Sequence, residues 1–229
     1  MNDDGAKPHY EILLGLCDAE GKTQLPGEFI QACALYGRAI KIDRWVIENT
    51  FKWVAANKRR LTRLSSFSIN VSAQSLSDEE TLSFVLNQFT RSRLPAGKVL
   101  FEVTETPAIQ SLSNAENFIL VLKEYGCRLL LDDFGTGHSS YSYLKHLPID
   151  YVKIDGMFIK DIVENENDQT IVKSINEVGH FMGKKTIAEF VENDVILDEL
   201  AKIGVDFAHG YGIDRPKPLH KLPELKCAV

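Results

Sequence analysis

The strongest constraint on the fold is a regular alternation of short apolar segments with longer amphipathic ones along the 229 residues. The short segments are rich in β-branched residues and predict seven strands: Tyr10–Leu16, Phe67–Val71, Val99–Thr104, Arg128–Asp132, Tyr151–Ile154, Lys185–Glu189 and Asp206–His209. The longer segments have helical spacing of their apolar residues: Glu28–Tyr36, Asp43–Asn57, Asp78–Thr90, Asn114–Tyr125, Asp168–Phe181 and Asp194–Ile203. Strands that alternate with helices are typical of a parallel sheet covered on both faces, so the sequence predicts an α/β fold.

The chain length narrows this prediction to a TIM-like (β/α)8 barrel, which needs about 200 residues or more. A barrel has eight strands, but residues 1–9 are too polar and too short to supply the one that is missing from the pattern. We therefore expect a barrel whose first strand is missing or truncated. Residues 1–9 are predicted to be a disordered or residual segment, and residues 10–229 to form one domain. Ser77 and Glu80 are spaced as a capping box that would begin a helix.

Charge and composition limit the possible partners and the location of the chain. The net charge is -6, which disfavours binding to a nucleic-acid polymer. The sequence contains no apolar run long enough to cross a membrane, so we expect no membrane contact from this chain. The 4 cysteines are scattered and form no C-x-x-C pair, which predicts reduced thiols in a cytoplasmic protein.

Polar side chains cluster within or at the ends of the apolar segments. They are Glu11, Asn70, Glu102, Asp132, Asp133, Lys153 and Glu189. Because the carboxyl ends of parallel barrel strands converge on one face, we expect these side chains to form one site. One lysine cannot neutralise so many carboxylates, and oxygen donors without histidine or cysteine at the same spacing favour Mg²⁺ or Mn²⁺ over Zn²⁺.

The adjacent carboxylates of Asp132 and Asp133 could bridge two such cations, an arrangement that supports attack on a phosphodiester. Lys153 or Glu189 could orient the attacking water or accept its proton. The residues alone therefore favour metal-assisted phosphoester hydrolysis. A Schiff base on Lys153 is disfavoured, because surrounding carboxylates stabilise the protonated amine. The glycine-rich segment Phe134–Ser140 is either a plain turn or a loop that gates the site.

The order and spacing of seven motifs, from Glu11 to Pro216, resemble the EAL domain family of cyclic di-GMP phosphodiesterases. The motifs are E-I-L-L (11–14), S-I-N-V-S (68–72), E-V-T-E (102–105), D-D-F-G-T-G-H-S-S (132–140), V-K-I-D (152–155), A-E-F-V-E (188–192) and H-G-Y-G-I-D-R-P (209–216). The resemblance implies a (β/α)8-like barrel and the hydrolysis of cyclic di-GMP to linear pGpG in bacterial second-messenger signalling. It also implies a homodimer and a longer parent protein with sensory or diguanylate cyclase domains.

The resemblance also implies roles for individual residues. The metal ligands would be Glu11, Asn70, Glu102, Asp132, Asp133 and Glu189, holding two Mg²⁺ or Mn²⁺ ions. Lys153 and Glu189 would act on the attacking water, and Glu105 would stabilise the glycine-rich loop. Leu13, His209 and Pro216 would contact the substrate.

Four departures from the family pattern leave the activity open. Gly15 replaces an arginine that contacts a ligand phosphate, and His209 replaces a glutamine. Phe190 replaces a glycine, and His138 replaces a tyrosine of the loop. The first prediction is an active, metal-dependent phosphodiesterase. The alternatives are a weak or inactive EAL domain that acts as a cyclic di-GMP receptor, and an inert or protein-interaction module.

Overall fold

The computed structural model describes residues 7–17, 19–20, 23–24, 27–104, 112–136, 144–145 and 147–221. These residues group into two compact units. The N-terminal unit comprises the described residues within Asp3–Glu102 and Ser113–Arg128, and the C-terminal unit those within Val103–Leu112 and Leu129–Leu222.

The strands follow the predicted alternation closely. The described residues contain β1 (His9–Ile12), β2 (Leu16–Cys17), β3 (Thr23–Gln24), β4 (Ser66–Asn70), β5 (Val99–Thr104), β6 (Arg128–Phe134), β7 (Tyr151–Ile154), β8 (Lys185–Ala188) and β9 (Phe207–Ala208). All seven predicted strands are present, and the short antiparallel pair β2–β3 is an addition to them. The N-terminal unit orders its parallel strands β1–β4–β5, and the C-terminal unit orders its parallel strands β6–β7–β8–β9.

The six helices that the apolar spacing predicts are present among the described residues, together with two short ones that it does not predict, Lys58–Leu61 and Ala73–Leu76. They are α1 (Gly27–Leu35), α2 (Ala39–Ala56), α3 (Lys58–Leu61), α4 (Ala73–Leu76), α5 (Glu79–Ser92), α6 (Leu112–Glu124), α7 (Glu166–Phe181) and α8 (Asp194–Ile203). In the part of the chain that the structure describes, three 3-10 turns accompany them, at Ala96–Lys98, Gly156–Phe158 and Leu219–Lys221. No helix within the described ranges is long and apolar enough to cross a membrane.

The predicted capping box at Ser77 is wrong by one residue. Ser77 ends α4, and Asp78 is the N-cap of α5, where its carboxylate accepts a hydrogen bond of 3.0 Å from the Thr81 amide. The same carboxylate lies 2.7 Å from Arg44 of α2. Asp78 therefore both caps the helix and joins it to a neighbouring helix, which Ser77 cannot do with a neutral hydroxyl.

In the N-terminal unit, the core lies between the strands and helices α2, α5 and α6. Phe67 and Ile69 of β4 are fully buried, as expected for a strand covered on both faces. Phe51 of α2 packs edge-on against Phe89 of α5, with ring centroids 4.8 Å apart. Phe51 and Phe89 therefore belong to the buried faces of these two helices.

In the C-terminal unit, β7 and β8 pack against α7, and α8 packs against α7. Val172 and Ile175 of α7 and Leu200 of α8 are buried. Asn193 caps the start of α8 by accepting from the Ile196 amide at 3.0 Å. Gly204 ends this helix with a φ of 89°, a left-handed conformation that glycine adopts without steric strain. These local features fix the positions of the helices that cover the sheet. Polar residues lie at the carboxyl ends of the strands.

Candidate active site

In the C-terminal unit, a buried lysine lies between two carboxylates. Lys153 of β7 is only 3% exposed. Its Nζ lies 2.8 Å from Glu189 Oε1 and 3.3 Å from Asp132 Oδ1. A lysine is almost never buried unless it is paired, and here two carboxylates supply the opposite charge. The arrangement holds all three side chains in fixed positions.

The strand registers explain why these three side chains meet. Lys153 lies opposite Ile187 of β8, and Glu189 is two residues further along, so both side chains point to the same face. On the other side of β7, Leu131 of β6 pairs with Val152. Asp132 therefore follows at the level of Lys153. The alternation within each strand and the register between the strands together bring these groups to one face.

A β-bulge brings a second aspartate to the same place. Two residues of β6, Asp132 and Asp133, lie opposite the single residue Lys153, because the next pair in the ladder is Phe134 with Ile154. Asp133 has a φ of 55°, and its amide donates 3.0 Å to Asp132 Oδ1. In a regular strand, neighbouring side chains point to opposite faces, so this left-handed residue lets both carboxylates contribute to one cluster.

The resulting cluster has the chemistry of a divalent-cation site. One carboxylate oxygen from each of Asp132, Asp133 and Glu189 lies within 4.8 Å of the other two. All three are hard oxygen donors, which suit Mg²⁺ or Mn²⁺. The nearby ammonium of Lys153 offsets part of their negative charge. These residues therefore fit the predicted cofactor class.

His209 directly follows the neighbouring strand β9 and lies next to Glu189. Ala208 of β9 pairs with Ala188 of β8, and the His209 amide donates 2.8 Å to the Ala188 carbonyl. The register then brings residue 209 level with residue 189. A ring nitrogen of His209 lies within 4.8 Å of a Glu189 carboxylate oxygen. His209 is exposed, so its ring is accessible to a ligand at this face.

The N-terminal unit collects the other three predicted metal ligands. Asn70 of β4 pairs with Glu102 of β5, and Glu11 of β1 pairs with Ser68, so all of them share one face of the strands. The Asn70 amide group donates 2.8 Å to Glu11 Oε1. Glu102 is 1% exposed, which marks it as a carboxylate held inside the unit. These residues are a second set of oxygen donors.

The remaining predicted site residues differ in how far the structure describes them. Leu13, which follows β1, is 42% exposed. Pro216 is also exposed, in the segment after β9. Glu105 lies outside the described residues, as do residues 137–140 of the glycine-rich segment.

The described start of the glycine-rich segment is closely packed. Gly135 has a φ of 107°, and a Cβ at this position would lie 2.7 Å from Phe158 Cε2. Both the backbone conformation and the space available therefore require glycine here. This fixes the chain directly after the two aspartates.

Two polar contacts of the N-terminal strands were not predicted from the sequence. The His9 ring of β1 lies 2.9 Å from the Ser66 hydroxyl and 3.2 Å from the Ser68 hydroxyl of β4. Ser66 and Ser68 alternate with Phe67 and Ile69, and this alternation is the signal that could have indicated a polar face. The contacts place a polar layer on the same face as Glu11 and Asn70.

Comparison with known proteins identifies the family to which these sites belong. A model of the EAL domain matches residues 2–216. The chain belongs to the EAL domain family. The prediction made from the seven motifs is therefore confirmed. The EAL match extends across both described units and includes every residue named above as a candidate ligand.

Several curated relatives have names that state an activity. The chain is 42% identical over 213 residues to the cyclic di-GMP phosphodiesterase PdeB of Shewanella oneidensis, covering 93% of this chain and 25% of the relative. It is 35% identical over 211 residues to the cyclic di-GMP phosphodiesterase PdeF of Escherichia coli, covering 92% of this chain and 28% of the relative. The EAL chain thus spans only about a quarter of the length of these proteins.

Solved structures of the family confirm the α/β, EAL-type fold. The PaMucR phosphodiesterase in complex with c-di-GMP is 28% identical, with a TM-score of 0.86 that covers 93% of this chain and 86% of that one. The FimX EAL domain of Pseudomonas aeruginosa, bound to c-di-GMP, is 31% identical, with a TM-score of 0.83 over 91% of this chain and 84% of that one.

Proposed function

We propose that this EAL domain hydrolyses one phosphodiester bond of cyclic di-GMP, with Mg²⁺ or Mn²⁺ as cofactor, and releases linear pGpG. The observation that carries the proposal is the buried Lys153, held between Asp132 and Glu189 beside a cluster of three carboxylates. The names of relatives at 35% and 42% identity support the same substrate and reaction. The activity stated in the names of these relatives favours hydrolysis of cyclic di-GMP over binding without hydrolysis.

The residues of the cluster have different roles in the proposed reaction. A divalent cation, when bound by Asp132, Asp133 and Glu189, supplies the Lewis acidity that stabilises negative charge on the phosphate and acidifies a water molecule. Glu189 accepts a proton from the attacking water, because its carboxylate is one of the three that would surround the cation. Lys153 donates a hydrogen bond to the Glu189 carboxylate across their 2.8 Å contact, and this contact fixes the orientation of the carboxylate.

We assign supporting roles to the N-terminal residues and to the exposed side chains. Glu11, Asn70 and Glu102 would act as further oxygen ligands. The proposal also includes a second cation in the functional site. Leu13, His209 and Pro216 would contact the nucleotide. His209 can do so as a hydrogen-bond donor or acceptor, since its ring is exposed beside Glu189.

A hydrolysis assay tests the proposal directly. Purified protein with Mn²⁺ or Mg²⁺ should convert cyclic di-GMP to pGpG, as followed by chromatography, and chelation of the metal should stop the conversion. Glu189→Gln should abolish turnover while leaving nucleotide binding measurable by calorimetry. The matched control is Glu177→Gln on the exposed face of α7, which should hydrolyse at the wild-type rate.

The outcome also separates hydrolysis from the receptor function. Saturable binding of cyclic di-GMP without formation of pGpG, at full metal occupancy, would overturn the proposed activity and favour a receptor. Absence of both binding and turnover would favour an interaction module. A homodimer, a cytoplasmic location and attached sensory or cyclase domains stay predictions, to be tested on the full-length protein.

A further inference from the structure

Phe190 adopts a backbone conformation that is unusual for its residue type, directly after Glu189. Its φ is 53°, whereas residues with a side chain strongly prefer negative values. Among the described non-glycine residues, only Arg93 and Asp133 share this left-handed conformation. Asp133 belongs to the carboxylate cluster itself. A strained bulky residue beside a proposed catalytic group is therefore a candidate for a role in the site.

The backbone hydrogen bonds explain what the strained residue does to the chain. The Glu189 amide donates to Ile154 of β7 at 3.2 Å, whereas the Val191 amide donates to His209, next to β9, at 3.0 Å. In a regular strand, amides two residues apart point the same way. The left-handed Phe190 reverses that direction, so the chain turns immediately after Glu189 while both neighbouring amides remain bonded.

The side chain of Phe190 is held by contacts from the segment that follows Lys153. A Cβ added to Gly156 would lie 2.1 Å from Phe190 Cδ2, so the ring occupies the space that a glycine leaves open. On the same segment, Lys160 Nζ lies 4.8 Å from the centre of the ring. The ring thus joins the chain after Glu189 to the chain after Lys153, beside the ion pair between those two residues.

We propose that Phe190 is a positioning residue, which through its packing on Gly156 and Lys160 holds the Glu189 carboxylate in the orientation that the reaction needs. This inference rests on the proposed hydrolysis, in which Glu189 acts on water. The ring does not contact the reacting atoms. It fixes the backbone torsion angles of Phe190, which directly follows Glu189. A small displacement of a catalytic group is enough to slow a reaction strongly.

A double-mutant cycle tests the inference. Phe190→Gly introduces the glycine of the family pattern, but it removes the ring that packs on Gly156 and Lys160 in this chain, and it should therefore lower kcat about 10-fold or more with little change in KM. Gly156→Ala should lower kcat similarly, because the new methyl group displaces the ring. In the Phe190→Gly background, the three atoms that Gly156→Ala would meet are absent. The double variant should therefore equal Phe190→Gly alone.

Three further variants distinguish positioning from general destabilisation. Phe190→Tyr keeps the ring, so its kcat should be close to the wild-type value and well above that of Phe190→Gly. Lys160→Gln removes the cation above the ring at an exposed position and should cause a smaller fall in kcat. Phe181→Ala truncates a 92% exposed ring of α7 and should change neither kcat nor KM. Melting temperatures identify any variant that fails to fold.

The result that would overturn the inference is a Phe190→Gly variant with wild-type kcat, or an equal effect of Gly156→Ala in both backgrounds. If the wild-type protein hydrolyses nothing, calorimetric titration with Mn²⁺ replaces kcat. A weaker Mn²⁺ affinity in Phe190→Gly, with no further loss in the double variant, then supports the inference although the proposed hydrolysis fails. If Mn²⁺ does not bind, hydrogen exchange of the Glu189 and Val191 amides decides, and unchanged protection overturns the inference.

Discussion

Lys153 and Glu189 make a 2.8 Å ion pair while their side chains are only 4% and 12% exposed. Such a pair is costly to break, because removal of the lysine takes a positive charge away from buried carboxylates. Asp132 lies 3.3 Å from the same ammonium, so two carboxylates are paired with this lysine. The pair therefore links the stability of the C-terminal unit to its proposed chemistry.

The first prediction concerns Lys153→Met, which keeps the volume of the side chain and removes its charge. We expect it to abolish turnover and to lower the free energy of unfolding by about 3 kcal/mol without metal. Chemical denaturation and the hydrolysis assay measure the two effects. Lys202→Met, at an exposed lysine paired with Glu199, is the control and should change neither quantity measurably. Equal stability of both variants would contradict the prediction.

The second prediction concerns metal binding by Asp132. Added Mn²⁺ should raise the melting temperature of the wild-type protein, because a ligand that binds only the folded state stabilises it. Asp132→Asn should weaken Mn²⁺ binding by at least about tenfold, since affinity for a hard cation follows the charge of its oxygen ligands. Calorimetry measures both proteins, with the exposed Asp161→Asn as the control. An unchanged affinity in Asp132→Asn would show that the cation binds elsewhere.

The third prediction concerns acid stability through Asp206. Burial raises the pKa of this carboxyl, but hydrogen bonds from the Thr186 amide and from His180 outweigh that effect and hold the pKa below its ordinary value of 3.8. The folded state therefore binds fewer protons than the unfolded state, and the stabilisation is present above pH 3.8 and lost as the pH falls towards the folded pKa.

Asp206→Asn should accordingly destabilise the protein near neutral pH and make its free energy of unfolding less dependent on pH below 3.8. Denaturation across a pH series measures this slope. Asp198→Asn, at an exposed position of α8, serves as the control. A variant whose pH slope matches that of the wild type would refute the assignment to Asp206.

The fourth prediction concerns thiol reactivity. Cys127 is 2% exposed, and burial raises the pKa of its thiol to about 12, so almost none of the reactive thiolate is present in the folded protein. Cys17 is exposed. A thiol-alkylating reagent should therefore modify Cys17 in the native protein and Cys127 only after unfolding, as resolved by peptide mass spectrometry. Rapid native labelling of Cys127 would mean that the segment between α6 and β6 opens easily.

Most of the fold could be predicted because its strands and helices carry strong periodic signals. Val99–Thr104 and Tyr151–Ile154 have the predicted bounds, since each is a short apolar run between clear turn signals. The pair β2–β3 was missed, because strands of two residues have no periodicity to detect. The cap of α5 was misplaced because the sequence does not reveal that Arg44 lies beside Asp78.

The candidate site was predictable in its composition and less so in its backbone. The sequence predicts Glu11, Asn70, Asp132, Lys153 and Glu189 as site residues, because polar side chains within or at the ends of buried strands are unfavourable unless they have partners or ligands. The left-handed conformations of Asp133 and Phe190 gave no such signal, since their residue types disfavour or do not require a positive φ. They depend on contacts with other strands, which a single sequence does not specify.

The bulge in β6 has a consequence for how this domain can be altered. Deletion of Asp133 would let β6 and β7 pair without interruption and would remove a left-handed aspartate, so the sheet itself would become more regular. The same deletion would take one carboxylate from the three near Lys153. A redesign that optimises backbone geometry alone would thus remove Asp133. Selection for thermal tolerance without selection for turnover should also favour the loss of this residue.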